Sequence, residues 1–131
     1  MIKQVIVMRQ YYPDGKGGTK KLRRGKEIAQ ACHASIAFLT RKLQKNPTPE
    51  IRQVEWDWIN GIFAKVCLKV DSEEELMEIY DKAVAYGCLE VHLITDRGLT
   101  EFHDIPTTTC LAIGPDESEK IDAITGHLPL Y

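Results

Sequence analysis

The chain has 131 residues, of which 44% are hydrophobic and 27% charged, with a formal net charge of −2. That is enough chain to bury a core without disulfides or metals. No apolar run approaches the roughly 20 residues that span a bilayer, and the apolar start Met1–Met8 is too short for a signal peptide and lacks a small-residue cleavage site.

The charge is unevenly placed. Residues 1–26 carry Lys3, Arg9, Lys16, Lys20, Lys21, Arg23, Arg24 and Lys26 against Asp14 alone, a net +7, which leaves −9 for the rest. A basic end on an acidic body points to a localised site for a polyanion. A solvated basic loop is the alternative.

In chain order, Val5-Ile6-Val7-Met8 is the unbroken apolar run of a strand buried on both faces. Pro13, Gly15, Gly17 and Gly18 make residues 10–24 a long loop. From Gly25 to about Lys45, Ile28, Cys32, Ile36, Leu39 and Leu43 recur at spacings of four and three, which predicts a helix with that stripe buried. Asn46-Pro47-Thr48-Pro49 ends it. Ile51, Val54 and Trp58 suggest a short amphipathic helix in which the two tryptophans flanking Asp57 serve packing.

Phe63 to Val70 reads as a second strand. Ser72-Glu73-Glu74-Glu75 is a capping box that opens a helix to about Tyr86, stopped by Gly87. Cys88 to Ile94 is a third strand, residues 95–108 a polar loop, Thr109 to Ile113 a fourth strand, and Asp116 to Ile124 a last helix behind Pro115. The order βα(α)βαββα predicts one α/β domain over residues 1–131, with a mainly parallel sheet between helices. Cys32, Cys67, Cys88 and Cys110 form no CxxC pair and read as buried reduced thiols, consistent with a cytoplasmic protein. His33, His92, His103 and His127 lack zinc spacing.

Ligands of such sheets bind beyond the carboxyl ends of the parallel strands. The first strand feeds the basic loop there, and the third feeds Thr95-Asp96-Arg97-Gly98-Leu99-Thr100, so the basic cluster is expected to face Asp96. Lys26, Gln30 and His33 form one row on the first helix, flanked by Ala29, Ala34 and Ala37 and turned away from the Ile28/Leu39 stripe. The alternative for this row is an ordinary solvated face. Arg23, Arg24 and Lys26 crowd the helix N-terminus against its dipole, which suits an anion site better than a purely structural design. Dinucleotide, P-loop and GxSxG patterns are not met.

Arg24-Gly25-Lys26, Ala29-Gln30-Ala31-Cys32-His33-Ala34, Asp96-Arg97-Gly98-Leu99-Thr100, Thr107 to Pro115 and Ile124 to Leu128, in that order, resemble the type-two peptidyl-tRNA hydrolases, with this chain as a divergent member. The resemblance implies a three-layer α/β/α sandwich on a four-stranded mixed sheet with the last strand antiparallel, and no metal or organic cofactor. It implies hydrolysis of the ester joining a peptide, or an N-blocked amino acid, to tRNA. The expected partner is the acceptor end of peptidyl-tRNA, with no membrane, and with a homodimer as an alternative to the monomer.

Carried across by motif, the implicated residues are Lys26, Gln30, His33, Asp96, Thr100, Thr107 and Thr109. On this reading Lys26 stabilises developing negative charge, Asp96 orients water or accepts its proton, and Thr100 and Thr107 position that water. His33 is either catalytic or a structural hydrogen-bonding residue. Lys20, Lys21, Arg23 and Arg24 hold phosphates, while Tyr11 or Tyr12 stacks on a terminal base. The chain departs from the family where Tyr11-Tyr12 and a glycine-lysine loop replace a short turn with an Asp-Leu pair. It departs again at Thr100-Glu101, where Thr-Gln is usual, and at Ile105-Pro106-Thr107, where Pro-Gly-Thr is usual. The departures leave a second reading, a non-catalytic RNA-binding or adaptor module on the same fold. A protein-interaction domain with an incidental basic loop is a third.

Overall fold

A computed structural model describes residues 1–99 and 101–131. The elements follow the expected order: β1 (Ile2–Arg9), β2 (Tyr12–Pro13), β3 (Thr19–Lys20), α1 (Arg24–Lys45), α2 (Gln53–Asn60), β4 (Ala64–Val70), α3 (Glu73–Tyr86), β5 (Val91–Asp96), β6 (Thr107–Glu117) and α4 (Ser118–Thr125). The segment expected as loop contains the small β2–β3 hairpin, in which Tyr12 faces Lys20 and Pro13 faces Thr19.

The main sheet runs β4-β1-β6-β5. β1 and β4 are parallel, and β6 is antiparallel to both of its neighbours, β1 and β5. β1, β4 and β5 therefore point the same way, as expected. Because the last strand is inserted between β1 and β5, only β1 and β4 are parallel neighbours. The carboxyl ends of β1 and β5 open on the same edge of the sheet, on either side of the start of β6.

One face of the sheet packs on α3 and α4. Leu76, Leu111, Ile113 and Ile121 are fully enclosed there with Val5 and Val7, each such side chain contributing ~1.5–3 kcal/mol. Ser72 caps α3 by accepting from the Glu75 N–H at 3.2 Å, and Gly87 ends the helix in the left-handed region at φ 87°.

α1 covers the opposite face, and here the expected stripe is corrected. Ile28, Cys32, Ile36 and Leu43 are exposed and Leu39 is half-buried, whereas Gln30, Ala34, Ala37 and Phe38 are buried. Ala34 and Ala37 lie against Ile6, Met8, Ile94, Cys110 and Ala112. Small side chains let the helix axis approach the sheet closely, and the larger aliphatic residues are left on the far side. At its C-terminal end α1 meets α2, where Phe38 packs edge-on to Trp58 at 5.8 Å and Lys42 pairs with the fully buried Glu55 at 2.5 Å.

The thiols also differ from expectation. Only Cys110 is buried, Cys67 is half-buried, and Cys32 and Cys88 are exposed. Among the described residues no helix is long and apolar enough to cross a membrane.

Candidate active site

The Lys26 Nζ donates to Asp96 Oδ1 at 2.9 Å, and both side chains are about seven-eighths buried. Lys26 sits in the first turn of α1 and Asp96 ends β5. The expected meeting of the basic segment with the end of the third main strand is thus observed in one ion pair.

Asp96 is held from three sides. Gln30 Nε2 donates to the same Oδ1 at 3.2 Å, and the Gly98 backbone N–H donates to Oδ2 at 2.9 Å. Burial pushes the carboxyl upward, but these hydrogen bonds and the Lys26 charge outweigh it and hold Asp96 below its ordinary value of 3.8.

Gln30 is itself fixed from behind. Thr109 Oγ1 donates to its Oε1 at 2.5 Å, and Cys110 Sγ donates to its backbone carbonyl at 3.4 Å. Two consecutive residues of one strand reach the same helix because the β5–β6 register shifts at Ile94, which leaves Thr109 as an extra residue. Such a bulge turns a side chain that regular alternation would send to the other face. With its oxygen committed to Thr109, the Gln30 amide can only present its N–H to Asp96. The desolvated Cys110 thiol is pushed up to about 12 and is no nucleophile at neutral pH.

Gly98 makes the loop after β5 possible. Its φ is +83°, and a Cβ there would fall 2.4 Å from the Ile105 carbonyl oxygen. The Asp104 N–H closes the same loop on the Gly98 carbonyl at 2.8 Å.

The pair opens into a cleft of about 330 Å³, lined by Lys26, Gln30, His33, Asp96, Arg97 and Leu99 among others. His33 is exposed at its rim. Gln30, 2% exposed, lines the cleft as a buried wall beside Asp96, and Thr109, 0% exposed, lies behind Gln30. Thr107 faces Asp96 across the β5–β6 pair, but its hydroxyl donates to the Ile105 carbonyl at 2.8 Å. Thr100 lies outside the described residues.

The basic segment is partly tied down. Arg23 pairs with Glu101, and Lys20 Nζ donates to the Glu101 carbonyl at 3.0 Å. Lys21 lies 5.4 Å over the half-buried Tyr11 ring. Arg24 turns to the other flank of α1, beside Met8, Glu27 and Tyr131. Tyr12 is a core residue, 1% exposed, packed against Phe102 and under the Arg9 guanidinium. Its ring has no free face for a base.

In the sequence Arg97 and Leu99 stand only as motif members, Arg9 only as a charge and Glu101 only as a departure from the family, none with a place in the site. A carboxylate in the loop opposite a +7 segment is a signal for Glu101, and an arginine closing an apolar strand is one for Arg9. Among the described residues no group of three or more His, Cys, Asp or Glu side chains could hold a metal ion.

Comparison with known proteins gives a concordant result. The family model described as peptidyl-tRNA hydrolase PTH2 matches residues 2–131. A peptidyl-tRNA hydrolase of Methanopyrus kandleri is 44% identical over 131 residues, covering 99% of this chain and 98% of its own. One from Methanocaldococcus jannaschii is 44% identical over 130 residues, covering 98% and 99%, and one from Nanoarchaeum equitans is 39% identical with both chains covered in full. A solved protein of unknown function from Agrobacterium tumefaciens shares the fold, with a TM-score of 0.57 at 11% identity over 98% of this chain and 96% of its own.

Proposed function

Since the chain belongs to the peptidyl-tRNA hydrolase PTH2 family, we propose that it hydrolyses the ester between a peptide and the tRNA 3′ end, at the Lys26–Asp96 pair. The observation that carries the reading is that pair, nearly buried yet opening on a cleft. An ester is attacked by water once the water is oriented and the carbonyl oxygen can become negative. Lys26 supplies a compact positive charge for that oxygen or for the departing ribose oxygen. A carboxylate held below its ordinary pKa is a weak proton acceptor at neutral pH. Asp96 therefore orients the water and fixes the ammonium, while Gln30 and Gly98 fix Asp96. His33 and Arg97 stand at the mouth, where they meet the substrate's backbone.

The basic segment gives the tRNA its footing. Lys20, Lys21 and Arg23 approach the start of α1, and their charge favours phosphates over any neutral partner. Residues 1–131 act as the one domain that carries the activity, in the cytoplasm where its substrate is made.

The test is single-turnover hydrolysis of N-acetyl-aminoacyl-tRNA by wild type, Lys26→Ala, Asp96→Asn and the double variant, with folding checked by thermal melts. Each single change is expected to lower the rate by ~10²-fold or more. Because both act on one transition state, the double variant should be little worse than the poorer single. Lys26→Arg should also be slow, since a planar fork does not replace a compact ammonium. Wild-type rates in both single variants would sink the site assignment, and an inactive wild type that still binds tRNA would favour a binding module.

A further inference from the structure

A second cavity, of about 360 Å³, lies over the same edge of the sheet. The β2–β3 hairpin supplies Tyr12, Pro13 and Lys20 on one side, the loop after Gly98 supplies Phe102 and Ile105 on the other, and Arg9 lines it as well. It shares no lining residue with the Lys26–Asp96 cleft. The two are nonetheless adjacent, because Thr107, which lines this cavity, is the ladder partner of Asp96, which lines the other. Facing residues of an antiparallel pair lie ~5 Å apart.

The cavity is a built one. Tyr12, Leu22 and Phe102 form a separate small core beneath it, each at most 7% exposed. Arg9, 5% exposed, is held by donation to the Tyr11 carbonyl at 2.9 Å and the Thr108 carbonyl at 3.2 Å, over the Tyr12 ring. The Glu101 contacts with Arg23 and Lys20 lock the opposing loop to the basic segment. A size of about 300 Å³ and above, apolar walls and a few fixed polar groups are the marks of a site for a small organic moiety.

We propose that this cavity receives the terminal nucleoside of the tRNA, placing its ribose ester at Lys26 and Asp96; the inference rests on the hydrolase reading. The nucleoside suits this cavity better than the peptide does. The peptide differs from one substrate to the next, and a preformed pocket that gripped its side chains would reject most of them, whereas the 3′ nucleoside is common to all. The cavity also offers what a purine and its phosphate need together. Apolar walls from Pro13, Phe102 and Ile105 suit the base; the Glu73 carboxylate, which takes the Thr108 hydroxyl on Oε1 at 3.2 Å, has Oε2, 3.8 Å from Arg9, to accept from an amino group; and Lys20, held on the Glu101 carbonyl, stands at the side where the basic segment continues.

The test uses the whole protein with Ile105→Trp and, on the opposite wall, Pro13→Trp. Ile105 is 64% exposed and Pro13 is also exposed, so neither change disturbs a core. The trinucleotide CpCpA is titrated by NMR, and hydrolysis is followed for N-acetyl-alanyl-tRNA and N-acetyl-phenylalanyl-tRNA. In the wild type, CpCpA should shift resonances of Ile105, Phe102 and Gly15, and each Trp variant should weaken its binding about tenfold. Both should raise KM for the two tRNA substrates equally, with kcat within about twofold of wild type. A Trp variant that discriminates between the alanyl and phenylalanyl substrates would overturn the proposal in favour of a peptide pocket. So would CpCpA binding that neither variant weakens, while wild-type hydrolysis would leave the activity standing. If the wild type hydrolyses neither substrate, the hydrolase reading fails and CpCpA titration alone decides whether the cavity takes a nucleoside.

Discussion

Thr109 and Asp96 share no hydrogen bond, yet the Gln30 side chain joins them. Its oxygen accepts from Thr109 Oγ1 at 2.5 Å and its nitrogen donates to Asp96 Oδ1 at 3.2 Å. The bulge in β6 thus sets the orientation of a carboxylate on the neighbouring strand. Thr109→Val keeps the shape and removes the donor, leaving the Gln30 oxygen buried without its partner at a cost of ~1–3 kcal/mol in thermal or denaturant melts. The Gln30 amide is then free to turn. Hydrolysis of N-acetyl-aminoacyl-tRNA should lose about tenfold in kcat with KM nearly unchanged, and Thr109→Ser should recover most of it. A Val variant that lost only KM would contradict a positioning role.

Asp96 gives a pH signature. Its folded-state pKa lies below the ordinary value of 3.8, so its contribution to stability is complete above about pH 4 and is lost as the pH falls through the folded value. Asp96→Asn removes that contribution. The melting-temperature difference between wild type and variant should be constant from about pH 5 to 8 and should narrow below about pH 4. A gap still fully open at about pH 2 would show that the carboxylate is not held as the geometry indicates.

Gly98→Ala should damage both fold and site. The residue sits at φ +83°, and the added methyl would meet the Ile105 backbone at 2.4 Å. A strained left-handed residue costs ~1–3 kcal/mol. Any relief of the contact moves the N–H that holds Asp96 Oδ2. The expected outcome is a lower melting temperature together with at least a tenfold loss of kcat. Wild-type turnover would mean that the Gly98 N–H is dispensable.

The basic segment is testable through salt. Replacing Lys20, Lys21, Arg23 and Arg24 by Gln should weaken tRNA binding and make log Kd less dependent on log salt, by roughly 0.7–0.9 for each phosphate no longer neutralised. Arg24 alone should matter least, because it lies on the flank of α1 with Glu27 and Tyr131. An unchanged slope in the quadruple variant would remove the segment from the tRNA footprint.

The periodicities of the chain determined most of its elements: the apolar run of β1, the Ser72–Glu75 opening and Gly87 stop of α3, and the helix beginning near Gly25. They also determined that Lys26, Gln30 and His33 share a row and that a basic segment precedes it, because these are local regularities of backbone geometry and charge. The tertiary structure decided the rest. The buried face of α1 proved to be Gln30, Ala34, Ala37 and Phe38 rather than the Ile28 to Leu43 stripe. Residue hydrophobicity is a property of the chain, while how close a helix comes to a sheet depends on the strands beneath it. The central place of β6, its bulge at Thr109, and the two cavities on either side of its first residue all arise from pairings between segments tens of residues apart. No local signal carries such a pairing, since strand order is fixed by which faces can be buried together once the helices have packed.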